Sequence, residues 1–430
     1  MSINTTHIET LALHAGQSPD AATLSRAVPV YRTSSYVFKS TQHAANLFAL
    51  KELGNIYTRL MNPTQDVLEQ RVAALEGGAA ALALASGTSA IFYSVINLCQ
   101  QGDELVSANN LYGGTYTQFN DILPQLGIRT HFVDPRDPRN FAKAITPRTK
   151  LLYVETIGNP GLDVADLPAI AAIAHQHGLP LIVDSTFSTP YHQRPLSQGA
   201  DIVVHSLTKW LGGHGTGIGG VVVDSGRFDW KSGKFPLLSE PEKSYHDIRF
   251  AHDLGDLAPL AYILRMRLVP LRNLGACIAP DNAWLFLQGI ETLPLRMERH
   301  AQNALAVAQY LKNHARVEWV RYPGLPGDPS YAVAQRLLAG GCGGMVVFGI
   351  QGGASAGARF IEALGLFSHL ANVGDAKSLA IHPATTTHSQ LTEAQQREAQ
   401  ITPGLVRLSI GLEHIDDIVA DLDQALKAAG

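Results

Sequence analysis

The sequence predicts an α/β protein with a mostly parallel sheet, helices on both faces of that sheet, and a smaller α/β unit toward the end of the chain. Two observations carry this prediction. Short apolar runs alternate with helix-length connections from about residue 79 onward, a pattern typical of strands that pair in parallel. The chain also has 430 residues, which is long enough for two or three domains with a substantial core.

The composition is that of an ordinary soluble enzyme, with 16% charged and 46% hydrophobic residues. The net charge of −4 comes from both signs mixed along the chain, which excludes a basic footprint for nucleic acid and a polybasic membrane patch. Cys99, Cys277 and Cys342 form no CxxC pair, and the first residues show no secretory signal pattern, so a cytoplasmic protein is expected. His175 and His177 lack further ligands at close spacing, so no metal site is expected.

The first element of the chain is expected to be an extended N-terminal arm over 1–62, because this segment shows little periodicity. A helix is predicted next, over 64–75. Asn62 is its predicted N-cap, Pro63 its first helical residue, and the glycines at 77–78 end it.

A large domain is expected over 63–285, built from alternating strands and helices. Its helices are predicted after Thr88 and over about 115–126. Its strands are predicted at 79–85, 104–108, 129–133, 151–155, 179–184, 200–205 and 220–223. The segment 226–280 breaks this pattern with irregular, aromatic and proline-rich sequence. This break in the pattern predicts an insertion that lies either near the functional site or at a contact between subunits.

A small C-terminal domain is expected over 286–430. A long helical pattern leads into it from about residue 281 to 311. Further elements are strand candidates at 317–322, 344–348 and 405–410 and a closing helix over 415–428.

Lys209 follows a predicted buried strand, in a loop that also carries Ser206 and Thr208. Strand ends of open α/β sheets collect ligand groups, and the two hydroxyls could hold a phosphate there. An amine beside a desolvated strand end is suited to forming an imine with a carbonyl compound. Most lysines near strand ends are solvated surface charges, so Lys209 alone does not decide between these readings.

Asp184 ends another predicted strand, where a fully buried strand should not carry an acid. One interpretation is a helix N-cap or turn residue. The other is a carboxylate that pairs with a cationic partner such as a pyridinium nitrogen, which the acid would keep protonated. With Lys209 at a neighbouring strand end, the cofactor interpretation is favoured.

Two glycine-containing turns and one arginine within an apolar strand complete the candidate site. Ser86-Gly87-Thr88 follows a strand and opens a helix, which suits either an anion or a simple capped helix start. Tyr112, before two glycines, could stack on a flat ligand and transfer a proton, or be a half-buried loop aromatic. Arg407 interrupts an apolar strand and is either paired with a bidentate carboxylate or exposed at a sheet edge.

Together these motifs resemble the pyridoxal-phosphate enzymes of cysteine and methionine metabolism, over nearly the whole chain. The motifs that carry the resemblance, in the family's order, are Tyr57-Thr58-Arg59, Asn62-Pro63-Thr64, Ser86-Gly87-Thr88, Tyr112-Gly113-Gly114-Thr115, 155–160, Asp184-Ser185-Thr186-Phe187 and Ser206-Leu207-Thr208-Lys209. Residues 14–17 and 367–378 are most similar to members that join sulfide to O-acetyl-L-homoserine. The resemblance implies the fold type I (aspartate aminotransferase-like) of PLP-dependent transferases.

The resemblance also implies roles for individual residues. Lys209 would form the imine with pyridoxal 5'-phosphate, Asp184 would pair with the pyridine nitrogen, with Thr186 retained beside it, and Tyr112 would stack on the ring. The cofactor phosphate would be held by Ser86, Gly87, Thr88, Ser206 and Thr208. Asn159 would lie near the phenolic oxygen of the ring, and Arg407 with the backbone around Ser378 would bind the substrate carboxylate. Tyr57 and Arg59 would reach the phosphate of a neighbouring subunit, in a homodimer that usually forms part of a homotetramer. Ser185, where relatives often have asparagine, departs from the pattern.

The implied activity is γ-replacement, in which sulfide or methanethiol displaces acetate from O-acetyl-L-homoserine to give L-homocysteine or methionine. A γ-lyase of the same family is one alternative, although methionine γ-lyases tend to have cysteine where this chain has Gly114. A cystathionine-forming enzyme is another, and the irregular stretch after Phe228 favours the sulfide reaction. A catalytically silent PLP-binding regulatory protein would leave the joint presence of Lys209, Asp184 and Arg407 unexplained.

Overall fold

The larger of two sheets contains the strands predicted for the first domain. The computed structural model describes residues 5–386 and 402–430. The strands of this sheet are β1 (Ala80–Leu84), β2 (Glu104–Ala108), β3 (Arg129–Val133), β4 (Thr149–Glu155), β5 (Leu181–Asp184), β6 (Ile202–Ser206) and β7 (Gly220–Asp224). Their order is β1-β7-β6-β5-β4-β2-β3. All pairs are parallel except those of β7, which is antiparallel to β1 and β6, so the predicted mostly parallel sheet is confirmed.

Helices cover both faces of this sheet. The helical segments that precede or connect its strands are Pro63–Glu76, Gly87–Ile96, Gly113–Thr117, Gln118–Ile122, Leu123–Leu126, Arg139–Ala144, Leu167–Gln176, Thr189–His192, Pro195–Gln198 and Leu207–Leu211. In β6, His205 Nε2 lies 2.6 Å from the carboxylate of Glu76, whereas the next residue, Ser206, packs against Gly87. Successive strand residues point to opposite faces. The helices that begin at Pro63 and Gly87 therefore lie on opposite sides of the sheet.

The helix Pro63–Glu76 begins and ends as the sequence predicts. The Asn62 side chain accepts a hydrogen bond from the backbone N–H of Thr64, and Pro63 occupies the first turn, where its missing N–H costs nothing. Gly77 has a φ of 73°, a left-handed conformation that glycine adopts readily. This helix packs on β1, at the edge of the sheet.

The second sheet belongs to the C-terminal part of the chain. Its strands are β8 (Val317–Arg321), β9 (Met345–Ile350), β10 (Ser368–His369), β11 (Leu379–Ile381) and β12 (Leu405–Ser409), in the order β10-β11-β12-β9-β8. The three predicted strands are β8, β9 and β12. The sequence prediction missed β10 and β11, because two- and three-residue strands are too short to show alternation.

The helices in the C-terminal part of the chain differ from the prediction in one place. They are Pro280–Glu291, Leu293–Lys312, Tyr331–Leu337, Gly353–Ala363 and Ile415–Ala428, with a short turn at Pro383–Thr385. The prediction of one continuous helix over 281–311 was wrong. The chain breaks at Thr292, and Pro294 lies in the first turn of the next helix, where a residue without an N–H is tolerated.

The two segments predicted as irregular contain short helices. The N-terminal segment has Ile8–His14 and Thr41–Phe48, and the segment 226–280 has Pro236–Ser239, Gly255–Leu260, Ala261–Met266, Arg267–Leu271 and Arg272–Leu274. Tyr262 is buried, and its hydroxyl donates to the carbonyl of Ser94 at 3.0 Å. Trp230 stacks on the Tyr262 ring at 5.3 Å. The segment 226–280 therefore packs against the helix Gly87–Ile96. No helix in the described part of the chain has the length and apolar character needed to span a membrane.

Candidate active site

A cavity of about 540 Å³ opens where β4, β5 and β6 end and where β12 of the second sheet approaches them. Parallel strands place their carboxyl ends along one edge, which is where open α/β sheets bind ligands. Most of the predicted site residues line this cavity: Ser86, Gly87, Thr88, Tyr112, Asn159, Asp184, Thr186, Ser206, Thr208, Lys209 and Arg407. Residues distant in sequence thus meet in one cleft. The segment 226–280, considered as an insertion near the site, contributes no residue to the lining.

Three predicted site residues lie outside this cleft. Tyr57 and Arg59 are exposed, and the Arg59 guanidinium lies over the Tyr57 ring at 5.3 Å from its centroid. Ser378 is buried elsewhere, because its backbone N–H and hydroxyl both donate to the carboxylate of Glu413, at 2.6 and 2.9 Å. From the same segment it is Asn372, with its two neighbours, that lines the cleft.

Two carboxyl groups form an acidic floor in the cleft. Glu155 and Asp184 are partners in the register of β4 and β5, and both are buried. Burial raises the pKa of Asp184, and burial together with the nearby Asp184 charge raises the pKa of Glu155 well above its usual value. Glu155 accepts a hydrogen bond from the Tyr112 N–H at 2.6 Å, and Asp184 accepts one from the Thr186 N–H at 2.9 Å. Across the described ranges neither carboxyl group forms an ion pair. A cationic ring nitrogen would give these two carboxyl groups an ion-pair partner.

Lys209 faces this cleft from the loop after β6. The strand ends at Ser206, and the following turn is interrupted at Lys209, whose backbone is not helical (φ −90°, ψ −135°). Partial burial, followed by the charge of Arg407, lowers the pKa of the Lys209 amine to about 8. Its Nζ donates a hydrogen bond to the side-chain oxygen of Asn372. The amine is therefore held in place and is partly uncharged near neutral pH, as a nucleophile or base requires.

Hydroxyl-bearing residues at the start of the helix Gly87–Ile96 and after β6 line the same cleft. Ser86 caps this helix, because its hydroxyl accepts a hydrogen bond from the Ser89 N–H at 3.0 Å. A Cβ on Gly87 would lie only 2.7 Å from the Cβ of Ser206, so only glycine permits this close approach. Thr208 Oγ1 accepts from the Gly219 N–H at 3.1 Å. Helix N-termini with such hydroxyls bind phosphate groups.

Tyr112 also lines the cleft, with 50% of its surface exposed. A Cβ on Gly114 would lie 2.5 Å from Cε1 of the Tyr112 ring. Glycine at this position therefore allows the ring to fold back over its own turn. The aromatic face remains available to a flat ligand, and the hydroxyl is free to transfer a proton.

Arg407 reaches the cleft from β12, on the second sheet. It is buried, and desolvation lowers its pKa to about 10, so it stays charged at neutral pH. Its Nη1 donates to the side-chain oxygen of Asn159 at 2.9 Å. In the part of the chain that the structure describes, Arg407 has no carboxylate partner. A buried guanidinium with a neutral neighbour is suited to binding the carboxylate of a ligand.

Sequence reasoning assigned no role to Glu155 or Asn372. Glu155 carried a usable signal, since it ends an apolar strand in the same way as Asp184. Asn372 belongs to the stretch 367–378 that resembles the family, but nothing in that stretch distinguished it, because it lies in a connection without regular structure and reaches the cleft only through tertiary packing. Gly374, two residues on, is fixed by a hydrogen bond from its N–H to the Ser409 hydroxyl at 2.9 Å.

Replacing Asn372 by aspartate should raise the pKa of the Lys209 amine from its present value of about 8. A carboxylate beside the amine stabilises the ammonium form, so the uncharged fraction at pH 8 should fall. The measurement is the pH dependence of Lys209 modification by an amine-selective reagent, followed by peptide mass spectrometry in cofactor-free protein. Asn372→Ser is the control, because it removes the amide without adding charge. An unchanged midpoint in the aspartate variant would show that residue 372 does not contact the amine.

The donor set of the cleft fits pyridoxal 5'-phosphate. The acidic floor matches a pyridine nitrogen, the hydroxyl-lined helix terminus matches a phosphate, and Lys209 matches an aldehyde. The fit rests on Asp184 and Glu155 in particular, because two buried neighbouring carboxyl groups without an ion-pair partner, within the described ranges, call for a bound positive charge.

Comparisons with known proteins agree with this chemistry. The family model described as Cys/Met metabolism PLP-dependent enzyme matches residues 9–427. "O-acetyl-L-homoserine sulfhydrylase" of Leptospira meyeri is 56% identical over 97% of this chain and 96% of its own. "Homocysteine synthase" of Schizosaccharomyces pombe is 53% identical over 100% of both chains. A Campylobacter jejuni crystal structure, whose description proposes an O-acetylhomoserine (thiol)-lyase, matches with a TM-score of 0.95 and 40% identity over 98% of this chain and 100% of its own. That structure carries a pyridoxyl-lysine phosphate.

Proposed function

Because this chain belongs to the Cys/Met metabolism family of PLP-dependent enzymes, we propose that it joins sulfide to O-acetyl-L-homoserine and forms L-homocysteine and acetate. Its architecture is the fold type I of PLP-dependent transferases, and pyridoxal phosphate is its cofactor. One observation carries the proposal: Lys209, Asp184 and Arg407 line one cavity, in a chain whose full-length relatives are named for this reaction.

We assign the cofactor to the residues of the cleft by chemical type. Lys209 would hold its aldehyde, Asp184 its ring nitrogen and Tyr112 one face of its ring. The phosphate would be held by Ser86, Gly87, Thr88, Ser206 and Thr208, with Thr186 beside Asp184 and Asn159 near the phenolic oxygen. When bound, the cofactor draws electrons away from the substrate carbons next to the amino group, which makes their protons removable.

Protons are moved in the proposed reaction by Lys209 and Tyr112. The Lys209 Nζ, with a pKa of about 8, takes the proton from the α-carbon of the substrate, gives that proton up within the site, and only then takes one from the β-carbon, because an ammonium group cannot accept a second proton. The Tyr112 hydroxyl is the candidate acid at the ester oxygen. The bond between Cγ and oxygen breaks, acetate leaves with the bonding electrons, a Cγ–S bond forms with hydrosulfide, and Lys209 returns the protons to carbon. Arg407 holds the α-carboxylate throughout.

A product assay tests this function. Purified enzyme is given the acetyl, succinyl or phospho ester of homoserine, with and without sulfide, and homocysteine is scored against 2-oxobutyrate. We expect homocysteine and acetate in equal amounts from the acetyl ester, and only when sulfide is present. Release of 2-oxobutyrate and ammonia irrespective of sulfide would instead assign a γ-lyase. Methanethiol in place of sulfide should give methionine.

The domain division that we propose is an N-terminal arm over 1–62, a PLP-binding domain over 63–285 and a small domain over 286–430. Lys209 then comes from the large domain and Arg407 from the small one. Tyr57 and Arg59 are exposed outside the cleft of their own chain. We propose that they bind the cofactor phosphate of a second copy in a homodimer, within a homotetramer.

Mixing two inactive variants tests whether subunits share sites. When Arg59→Ala and Lys209→Ala subunits are exchanged at random, half of all dimers are mixed, and every mixed dimer carries one intact site of two. Random mixing should therefore restore about one quarter of the activity. The control mixes Arg59→Ala with a Lys209→Ala, Arg59→Ala double variant, which leaves every site defective. Exchange of subunits without recovered activity would argue against shared sites.

A further inference from the structure

Two arginines of the small sheet lie in one row across three strands. Arg407 on β12 and Arg321 on β8 are both register partners of Val347 on β9, the strand between them. Directly opposed residues in antiparallel strands point to the same face of a sheet. The two arginine side chains therefore leave the same face, from backbones about 10 Å apart.

Both arginines contact one loop of the large domain, residues 157–164. The loop is closed on itself by a bridge between Ile157 and Val164 and by a hydrogen bond from the Gly158 N–H to the Asp163 carbonyl at 2.9 Å. Near its start, Asn159 accepts from Arg407 Nη1 at 2.9 Å. Near its end, Asp163 Oδ1 accepts from Arg321 Nη2 at 2.8 Å.

The two contacts differ in charge. Arg407 donates to the neutral amide of Asn159, so its positive charge remains available to a ligand. Arg321 lies between two carboxylates, with Nη2 2.8 Å from Asp163 and Nε 3.0 Å from Asp328. Both aspartates are buried, and Arg321 itself is largely covered. The charge of Arg321 is therefore neutralised by carboxylates of the protein itself, whereas the charge of Arg407 remains for a ligand.

We propose that the Arg321–Asp163 ion pair is a positioning device for substrate binding: it fixes loop 157–164 against the small domain, so that Asn159 orients the Arg407 guanidinium toward the α-carboxylate of the substrate. The inference rests on the proposed function, in which Arg407 binds that carboxylate. Neither Arg321 nor Asp163 lines the cavity, so both act through the loop.

Loosening the loop should affect one substrate and not the other. O-acetyl-L-homoserine carries an α-carboxylate that needs an oriented Arg407, whereas sulfide carries none. Breaking the ion pair should therefore raise KM for the ester and leave KM for sulfide and kcat unchanged, while cofactor affinity, to which Asn159 would add one contact among several, should change much less than KM for the ester. A merely structural contact would shift all four together.

The experiment uses Asp163→Asn holoenzyme, which keeps the size of the side chain and an acceptor oxygen but removes its charge. We expect KM for O-acetyl-L-homoserine to rise roughly tenfold, with kcat and KM for sulfide within about twofold of wild type. Arg321→Met is the second variant. The double variant should raise KM for the ester no more than the stronger single variant does, because both substitutions break the same ion pair. Asp163→Glu, which restores the charge, should recover part of the loss.

Arg336→Met is the matched control. Arg336 also joins the small domain to the large one, through an ion pair with Asp166 at 2.6 Å just beyond the loop, but this pair is more exposed. Its loss should leave every constant unchanged. The inference is overturned if Asp163→Asn leaves KM for the ester at the wild-type value, or if sulfide KM and cofactor affinity shift equally.

The result is separable from that of the proposed function. Wild-type enzyme that makes no homocysteine would reject the function. The positioning role is then decided by the dissociation constant of O-acetyl-L-homoserine, measured without sulfide from the absorbance of the bound cofactor. A weakening of roughly tenfold in Asp163→Asn, absent in Arg336→Met, supports the role in either case. Equal constants in both variants overturn it.

Discussion

Lys209→Ala should reduce the formation of homocysteine by at least about 10³-fold, because the variant loses both the covalent attachment of the cofactor and the base that moves protons. The Lys209 amine lines the cleft, with its pKa lowered to about 8, and is the nucleophile that we propose. The variant should also lose the absorbance band of the lysine-bound cofactor. Borohydride treatment should add the mass of the cofactor to wild-type protein and not to the variant.

Lys234→Ala is the matched control for this prediction. Lys234 is also a partly covered lysine whose pKa burial lowers, but its Nζ donates to the carbonyl of His177, outside the cleft. Its substitution should leave the absorbance band and the activity intact. Borohydride-stable cofactor on Lys209→Ala protein would remove Lys209 from the proposed role.

Arg407→Ala should raise KM for O-acetyl-L-homoserine by roughly 10²- to 10³-fold, the cost of leaving a buried carboxylate without its partner. Cofactor affinity should change much less, because Arg407 lies on the second sheet and the proposed cofactor ligands come from the first. The measurement pairs steady-state kinetics for the ester with a cofactor titration monitored by absorbance. KM for sulfide, which has no carboxylate, should stay near the wild-type value.

Arg407→Lys separates charge from geometry at this position. Lysine keeps the positive charge but lacks the planar fork that binds a carboxylate at two points. We expect an intermediate KM, about ten times that of the wild type. If Arg407→Ala lowers cofactor affinity as much as ester affinity, the arginine maintains the fold and does not bind substrate.

The fold could be predicted from the sequence wherever elements were long and regular. The strand–helix alternation gave the large sheet, and the cap residues Asn62 and Gly77 gave the bounds of one helix almost to the residue. The break at Thr292 was missed because both flanking helices have continuous apolar periodicity, so only the proline at 294 marked it. The orientation of β7, antiparallel to its neighbours, leaves no trace in an apolar run.

The candidate site could be predicted only where its residues interrupt a pattern. Lys209, Asp184 and Arg407 were found because each is a charge at or inside an apolar strand. Asn372, by contrast, does not interrupt an apolar strand pattern. Its contact with Lys209 joins residues far apart in the chain and depends on how the segment between β10 and β11 packs against the loop after β6. The same holds for the pairing of Arg321 with Asp163, since neither residue differs in sequence from an ordinary surface charge.

The neighbouring acids Glu155 and Asp184 have a consequence for the lifetime of the polypeptide. Their pKa values are raised in the folded chain, so unfolding releases protons, and the free energy of unfolding of vitamin-free protein should fall as pH rises from the ordinary carboxyl range through these raised values. A cationic ring nitrogen held by Asp184 would offset this loss. The gap in melting temperature between vitamin-loaded and vitamin-free protein should therefore widen toward alkaline pH. A cell short of the vitamin from which pyridoxal phosphate is made would then lose catalytic activity and also lose the enzyme itself, because the less stable cofactor-free protein is degraded.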